Sequence, residues 1–528
     1  MPPKLGARGL WKPLRLPVFR ELLVADVVSD IGTFMQSVGA AWLMVSMHAS
    51  PFYVALTQTA STAPFFLLAL PAGALGDIVD RRKLILYTEA WMLAVAVILA
   101  VTTLAGAISP WLLLALTFAL SAGDAMESPT WRAVLPELVG KDDLPAASAL
   151  NGIEFNIARA VGPALAGLLI AAAGVGAAFL VNVFSFFGVI LVIARWKRTV
   201  RPRTAPTEAL TGATIAAIRY VRHVPAMRAI MLRSAAAMFC ASASFALLPV
   251  IANRAGSSSI TYGLLLGAFG VGAVVGALAM QAARARWPTE PIVAVAIGVQ
   301  GVMTIAIGRW HAIPSLMLAM FVSGAASITF ISLANALVQS LAPDWVRARV
   351  LAIFMLLTQG GFALGSVLWG AIGSRAGVES ALLWAGLTTI ATVGLAAVAR
   401  WPDEAVDVSP WVHWRLPVMV AGGGLTPDQG PVLVVVEYRV EPASVDAFLE
   451  AMDQYQHVRR RDGASRWEIF RDIENPSLYV ETFLVASWAE HLRQHERFTV
   501  ADRGIEQRIA ALAQGEPRVR HLIWATAP

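Results

Sequence analysis

Apolar runs, each about long enough to cross a bilayer, recur through most of the chain. A helix needs about 20 apolar residues to span roughly 30 Å of hydrocarbon. Between Pro17 and Arg400 the pattern predicts twelve such helices, at 19–47, 51–76, 84–106, 110–134, 146–173, 176–195, 227–252, 260–283, 290–308, 312–338, 347–373 and 378–399. The longest polar break, Trp196 to Pro225, divides them six and six. Its second part, from Glu208, has helical apolar spacing with basic edges and predicts an amphipathic helix on the membrane surface.

Past Arg400 the pattern changes. Pro402, Pro410, Pro417 and the Gly422-Gly-Gly run mark a linker. An apolar strand at 431–440, an amphipathic helix at 443–460, strands at 465–472 and 478–486, helical stretches over 487–512 and a last strand at 518–524 follow. That βαββαβ order predicts a ferredoxin-like α+β domain, large enough for its own core. The expected fold class is an all-α polytopic membrane protein of two six-helix bundles plus this small α+β domain. Its divisions are 1–196 (first bundle), 197–226 (linker with the amphipathic helix), 227–400 (second bundle), 401–430 (linker) and 431–528.

Composition agrees: 57% of residues are hydrophobic and 14% charged, where a soluble chain is nearer a quarter charged. Charge sets the orientation. With the N-terminus inside, the outer loops carry only Arg254, Arg309 and Arg375, while the inner loops and the C-terminal tail take the other Lys and Arg apart from Arg159 and Arg233 within spans. The positive-inside rule then predicts a multi-pass protein of the bacterial inner membrane with both termini cytoplasmic. The net charge of +6 is a topology signal that meets lipid headgroups, not a nucleic-acid footprint. The first apolar segment is too long for a signal peptide and reads as a start-transfer helix. Cys240 is the single cysteine, so neither a disulfide nor a cysteine metal site is expected, and no cofactor.

The two halves echo one another. Gly73-Ala-Leu matches Gly276-Ala-Leu, Pro136-Glu137 matches Pro343-Asp344, and Gly162-Pro-Ala-Leu-Ala matches Gly361-Phe-Ala-Leu-Gly, in the same order and at nearly constant offset. A duplicated six-helix half is the plan in which a central site alternates between two faces.

The loop Gly73-Ala-Leu-Gly-Asp-Ile-Val-Asp-Arg-Arg-Lys resembles the hallmark of the major facilitator superfamily in Gly73, Leu75, Asp77, Arg81 and Arg82, and departs from it at Ile78 and Asp80. Ser29-Asp-Ile-Gly-Thr-Phe-Met-Gln, Asn156-Ile-Ala-Arg-Ala-Val-Gly-Pro, Asp344-Trp-Val-Arg-Ala-Arg-Val and Ser487-Trp-Ala-Glu-His-Leu-Arg-Gln-His-Glu-Arg are similar to segments of its siderophore-exporter branch, the transmembrane secretion effectors. The resemblance implies a secondary transporter with a cytoplasmic gate at Gly73, Leu75, Asp77, Arg81 and Arg82. Gly162, Pro163 and Gly167 resemble the antiporter motif of its exporters, a helix bend with close packing. Ala158 and Ala119 stand where that motif and the usual proton-coupling Arg have other residues, which leaves Arg159 as a substitute. The tail resembles dimeric α/β-barrel domains, which implies a homodimer contact through it.

Ionisable residues inside spans point to function, because desolvating them is costly without a cavity or partner. Asp26 and Asp30, four apart, share a helix face, and Asp30 lies near the midplane. With Glu127 and Glu154 they are the expected proton-coupling sites, the alternative being plain structural hydrogen bonding; Asp124 and Glu127 are also placed to pair with Arg132. Arg159, Asn156, Asn335, Gln359 and Gln36 are expected to line a substrate cavity, with Arg159 reaching across it to an acid or an anionic substrate. Arg233 is expected to snorkel to the interface. His491 and His495, four apart, have metal-pair spacing but no fixed third ligand, and read as surface or dimer-interface histidines; no metal is expected.

No phosphate loop is present, which argues against ATP hydrolysis. The reading is a non-enzymatic, proton-coupled exporter of a small organic molecule, a siderophore or drug-like metabolite. An importer, or a membrane-tethered cofactor-free monooxygenase in the tail, are its rivals.

Overall fold

The computed structural model describes residues 10–140, 142–196, 210–402, 407–411, 426 and 429–524, with the side chains at 69–71, 73, 74, 76–78, 132, 210, 211 and 213 excepted. Its helices are α1 (Pro17–Ser46), α2 (Pro51–Ile78), α3 (Arg81–Leu104), α4 (Pro110–Leu138), α5 (Leu144–Ala173), α6 (Val175–Arg195), α7 (Leu210–His223), α8 (Pro225–Gly256), α9 (Ser259–Arg284), α10 (Thr289–Arg309), α11 (Ile313–Leu341), α12 (Arg347–Ala376) and α13 (Val378–Ala391). Ten of them are long and apolar enough to cross a membrane, counting α13 with the 3-10 turn that extends it to Ala397.

Local chemistry explains where these helices begin. Pro17, Pro51 and Pro110 open α1, α2 and α4, where a missing N–H costs nothing. Asp80, Ser109 and Ser258 cap α3, α4 and α9 by accepting backbone N–H groups, which satisfies donors the helix cannot. Gly174 (φ +80°) and Gly377 (φ +90°) make the turns α5–α6 and α12–α13, in the region that favours glycine. Both stand in an Ala-Gly-Val triplet, a further echo of the repeat.

The chain forms two compact units. The first comprises residues 1–204, 231–334 and 355–398. Its largest apolar core joins Met35, Ala166, Leu247, Phe269, Leu316 and Trp369 from both halves. Glycines let its helices touch. A Cβ at Gly162 of α5 would stand 2.7 Å from Phe34 of α1, and one at Gly361 of α12 would stand 2.7 Å from the Ala235 carbonyl of α8. The equivalent positions of the repeat thus serve equivalent helix pairs.

Arg233 of α8 is a correction. It does not snorkel: it is 0% exposed and its Nη1 meets Glu290 of α10 at 2.7 Å. A buried guanidinium with a carboxylate partner avoids the desolvation that snorkelling would otherwise relieve.

The second unit comprises 205–230, 335–354 and 399–528. Strands β1 (Val432–Arg439), β2 (Ser465–Arg471), β3 (Leu478–Val485) and β4 (Arg518–Ile523) make one antiparallel sheet in the order β2-β3-β1-β4, with Val434 opposite Phe483 and Val436 opposite Glu481. Helices α14 (Val445–Asp462), α15 (Trp488–Arg497) and α16 (Val500–Leu512) supply Phe448, Met452, Tyr455, Trp488 and Ile509 to the core on the face that carries Val434, Val436 and Phe483. Glu481, fully buried, accepts from Tyr438 (3.0 Å), Arg459 (3.0 Å) and Trp467 (2.8 Å), so its desolvation is compensated. Within this unit α7 is tied to the sheet domain: Arg219 donates to Glu490 (2.9 Å) and to the Arg461 carbonyl (3.0 Å). Arg497 stacks on Trp345, the loop residue between α11 and α12, at 4.7 Å.

The surface reading of His491 also needs correction. It is buried at 3% exposure, with Nδ1 3.2 Å from Gln494 and Nε2 3.2 Å from Nε2 of His495, and the His521 ring 4.7 Å away. Among the described residues no group of three or more His, Cys, Asp or Glu is arranged to hold a metal.

Candidate transport pathway

Two cavities of similar size lie in the first unit. One, of ≈ 430 Å³, is enclosed by α1–α6 and is lined by Asp26, Asp30, Gln36, Glu89, Asp124, Glu127 and Glu154 among others. The other, of ≈ 420 Å³, lies between the halves and is lined by Arg159, Gln359, Tyr262, Phe245, Phe269 and Phe362 among others. Ser37 and Phe155 line both, so the two adjoin at α1 and α5.

The acidic cavity is built from four helices whose carboxyls converge. Asp26 accepts from Trp131 Nε1 at 3.1 Å. Asp30 and Glu154 face one another across α1 and α5, and Glu89 and Glu127 across α3 and α4. Glu127 also accepts from Thr88 at 2.6 Å, while the side chain of Arg132, its expected partner, lies outside the described residues. Gln36 accepts a hydrogen bond from Asn182 of α6, a polar contact that orients both amides. Glu89 was not among the expected residues. The signal was available, since it is an acid within the 84–106 apolar run; Asn182 and Thr117 carried no charge to betray them.

Arg159 reaches across to the other half, and the partner found there among the described residues is a ring: its guanidinium lies 5.4 Å over Phe269 of α9. Cations are held over aromatic faces by the ring quadrupole. Gln359 of α12 lines the same cavity. The other two expected lining residues are elsewhere. Asn156 lines neither cavity and donates to the Gly152 carbonyl at 2.7 Å. Asn335 also lines neither and accepts from Gln339 at 3.0 Å.

Close packing joins the halves around the inter-half cavity. A Cβ at Gly167 of α5 would stand 2.8 Å from the Ser259 carbonyl and 3.2 Å from Gly263 of α9, and Ser259 donates to the Gly167 carbonyl at 3.0 Å. In α12, Ser374 accepts from the Phe52 N–H of α2 at 2.8 Å. Both contacts lie toward the end at which α1 gives way to α2. Pro163, inside α5, lines the cavity. Of the hallmark loop, Arg81 donates to Glu137 (2.7 Å) and to the Ala133 carbonyl (2.8 Å). Arg82 donates to the Ile193 and Ala194 carbonyls (3.1 and 2.6 Å), where a cation suits the C-terminal end of α6. Leu75 is exposed; the side-chain positions of Gly73 and Asp77 lie outside the described residues.

The chain is similar to known proteins. The family model for transmembrane secretion effectors matches residues 8–528. The staphyloferrin A transporter of Staphylococcus aureus is 24% identical over 370 residues, covering 68% of this chain and 90% of that protein. The multidrug efflux pump Tap of Mycolicibacterium fortuitum is 24% identical over 387 residues (71% and 94%), and the enterobactin exporter EntS of Citrobacter koseri 26% over 410 (75% and 96%). Among solved structures, a bacterial homologue of the lysosomal transporter Spinster, inward-facing, superposes with TM-score 0.58 at 14% identity, covering 74% of this chain and 96% of that one. The nucleoside transporter NupG does so with 0.60 at 11% (72% and 99%). These two show the fold. The chain belongs to the transmembrane secretion effector family and is a multi-pass membrane transporter that effluxes small molecules, not an enzyme.

Proposed function

We propose that the chain couples the proton gradient to export of a small organic molecule, a siderophore or a drug-like metabolite, by alternating access. The observation that carries this reading is the adjacency of two cavities of opposite character, one acidic and one aromatic with a single guanidinium, which meet at Ser37 and Phe155. Carboxyls facing one another in a low-dielectric cavity share protons, because two like charges at close range do not both ionise. Asp30 with Glu154, and Asp26 and Glu127 near them, are the proton carriers. Arg159, Gln359 and the aromatic rings receive the substrate, and Gln36 borders the proton site. Asn156 and Asn335 have no part in it.

The twelve spans are the ten apolar helices together with α2 and α4, arranged as two six-helix bundles over 1–196 and 227–400. With the N-terminus in the cytoplasm of a bacterial cell, the contacts Gly167–Ser259 and Phe52–Ser374 fall on the outer side, which fits a conformation closed outward. Gly162, Pro163 and Gly167 form the bend and packing about which the bundles rock. Gly73, Leu75, Asp77, Arg81 and Arg82 form the inner gate, and the Arg81–Glu137 pair favours this. Residues 431–528 form a cytoplasmic ferredoxin-like domain; the linker 197–226 joins the two bundles, and the linker 401–430 leads into this domain. Its open sheet face is suited to a homodimer contact, and the basic inner face of the membrane region to lipid headgroups. The named substrates of the relatives, staphyloferrin A and enterobactin, and the multidrug range of Tap set the cargo class.

Metabolite profiling of medium from deletion and complemented strains tests the reading. A compound lost from the medium on deletion and restored by the wild-type gene is expected. Medium unchanged by deletion, under iron limitation and under drug challenge alike, sinks it.

A further inference from the structure

The cavity between the halves holds a charge that its own walls do not balance. Arg159 lines it, and among the other described lining residues none is Asp, Glu, Lys or His. Its guanidinium makes no hydrogen bond or ion pair among the described residues, only the contact with the face of Phe269. Two polar neighbours are in the same position. Tyr262 of α9 is 5% exposed, with its ring stacked on Trp42 at 6.4 Å. Its hydroxyl is nevertheless neither bonded within the described residues nor sealed from the cavity. The side-chain amide of Gln359 likewise has no partner among the described residues. Polar groups inside native proteins are almost always satisfied, and a charge within the membrane faces a partner or a cavity. All three groups donate hydrogen bonds, so together they call for an acceptor that carries negative charge. Beyond Arg159, the rings of Phe269, Phe245 and Phe362 follow one another at 4.8 and 5.8 Å. The cavity, of ≈ 420 Å³, has the volume of a small organic ligand site, with its cation at one end of an aromatic row.

We propose that this cavity binds an aromatic monocarboxylate, whose carboxylate accepts from Arg159 and from the Tyr262 hydroxyl while its aryl body lies along Phe269, Phe245 and Phe362. A guanidinium and a carboxylate match as two forks with paired N–H bonds, and aromatic rings pack edge to face or offset on one another. The charge count narrows the class further. One cation with no acid beside it balances one negative charge, so a dianion would bring a second, unpaired charge out of water. A cationic cargo would meet the like charge of Arg159. Resting on the export reading, the inference narrows the cargo to aryl monocarboxylic acids and makes Tyr262 a residue that selects it.

Fluorescent naphthalene probes of similar shape test this on purified full-length protein in nanodiscs near neutral pH: 2-naphthoate (monoanion), 2-naphthalenemethanol (neutral) and 2,6-naphthalenedicarboxylate (dianion). The naphthoate is expected to bind about tenfold or more tighter than the alcohol, and tighter than the dianion. Arg159→Gln is expected to bring the naphthoate down to the level of the alcohol, whose own affinity stays unchanged and so reports an intact cavity. Tyr262→Phe, which removes only the hydroxyl, is expected to weaken the naphthoate several-fold and spare the alcohol. Equal binding of naphthoate and alcohol overturns the proposal without any variant, as does naphthoate affinity unchanged in both variants. A dianion bound more tightly than the naphthoate overturns the assignment of a single charge. Proteoliposomes under a pH gradient separate the two ideas, with protein-free vesicles measuring the leak. Selective naphthoate binding with no flux above the leak leaves the anion site standing and counts against proton-coupled export. Gradient-driven flux of another cargo, without naphthoate preference, sinks the anion site alone.

Discussion

Arg233 of α8 and Glu290 of α10 form an ion pair at 2.7 Å with the guanidinium fully enclosed. Removing one member of a buried pair leaves the other charge without compensation, at a cost of about 3–5 kcal/mol. Arg233→Ala is therefore expected to lower thermal stability in detergent sharply. The double change Arg233→Met with Glu290→Gln is expected to recover much of the loss. A double variant as unstable as the single one would show that the ion pair is not the source.

That pair also marks the limit of what a single sequence discloses. Helix positions were legible because each depends on a local run of apolar residues, and the strands of the C-terminal domain because their alternation is local too. Partners are not local. Arg233 and Glu290 are 57 positions apart, and only the packing of α8 against α10 brings them together. Likewise the midplane rule found Asp26, Asp30, Glu127 and Glu154, all of which line one cavity. It could not tell that Asn156 turns to its own helix, because a polar side chain on a helix looks the same from sequence whichever way its neighbours pack. Arg159 was legible as a residue that crosses between halves, and its aromatic partner was not.

Acid should loosen the C-terminal domain. Burial, with His495 and His521 adding positive charge beside it, holds His491 down at about 3. Glu490 is pushed up by burial, but Arg497, Arg219 and Arg493 outweigh that and hold it at about 2. A histidine with a lowered folded pKa binds its proton in the unfolded state first, so stability falls as pH drops below about 6.5, down to about 3. The depressed carboxylate adds stability that is present above about 4.3 and is lost as pH falls toward 2. Protection of the amides in 488–497 of the full-length protein, after correction for the intrinsic pH dependence of exchange, is expected to fall from pH 7 to pH 5, and His491→Gln to flatten the profile. A pH-independent protection factor in the wild type would rule the mechanism out.

The approach of α5 to α9 depends on Gly167 having no side chain, since a Cβ would stand 2.8 Å from the Ser259 carbonyl. Gly167→Leu forces these helices apart, and overpacking of this kind costs about 1–3 kcal/mol. A lower unfolding temperature and reduced efflux are the expected results, with Gly167→Ala milder in both. Wild-type stability and efflux in the Leu variant would mean that the two helices do not meet there in the membrane.

Asp30 and Glu154 face one another across α1 and α5, and a shared proton there ties the two helices together in one protonation state. Asp30→Asn keeps the shape and a hydrogen-bond donor but removes the exchange of charge. Uphill efflux driven by a pH gradient is expected to fall by about tenfold or more, as general proton-transfer roles do on removal. Substrate counterflow, which needs only the rocking of the bundles, is expected to survive. Glu154→Gln should behave alike, and the double variant should be no worse than either, because the two carboxyls act as one proton site and such effects are non-additive. Additive losses in the double variant would make them two independent sites, and undiminished uphill efflux in Asp30→Asn would remove this pair from the coupling.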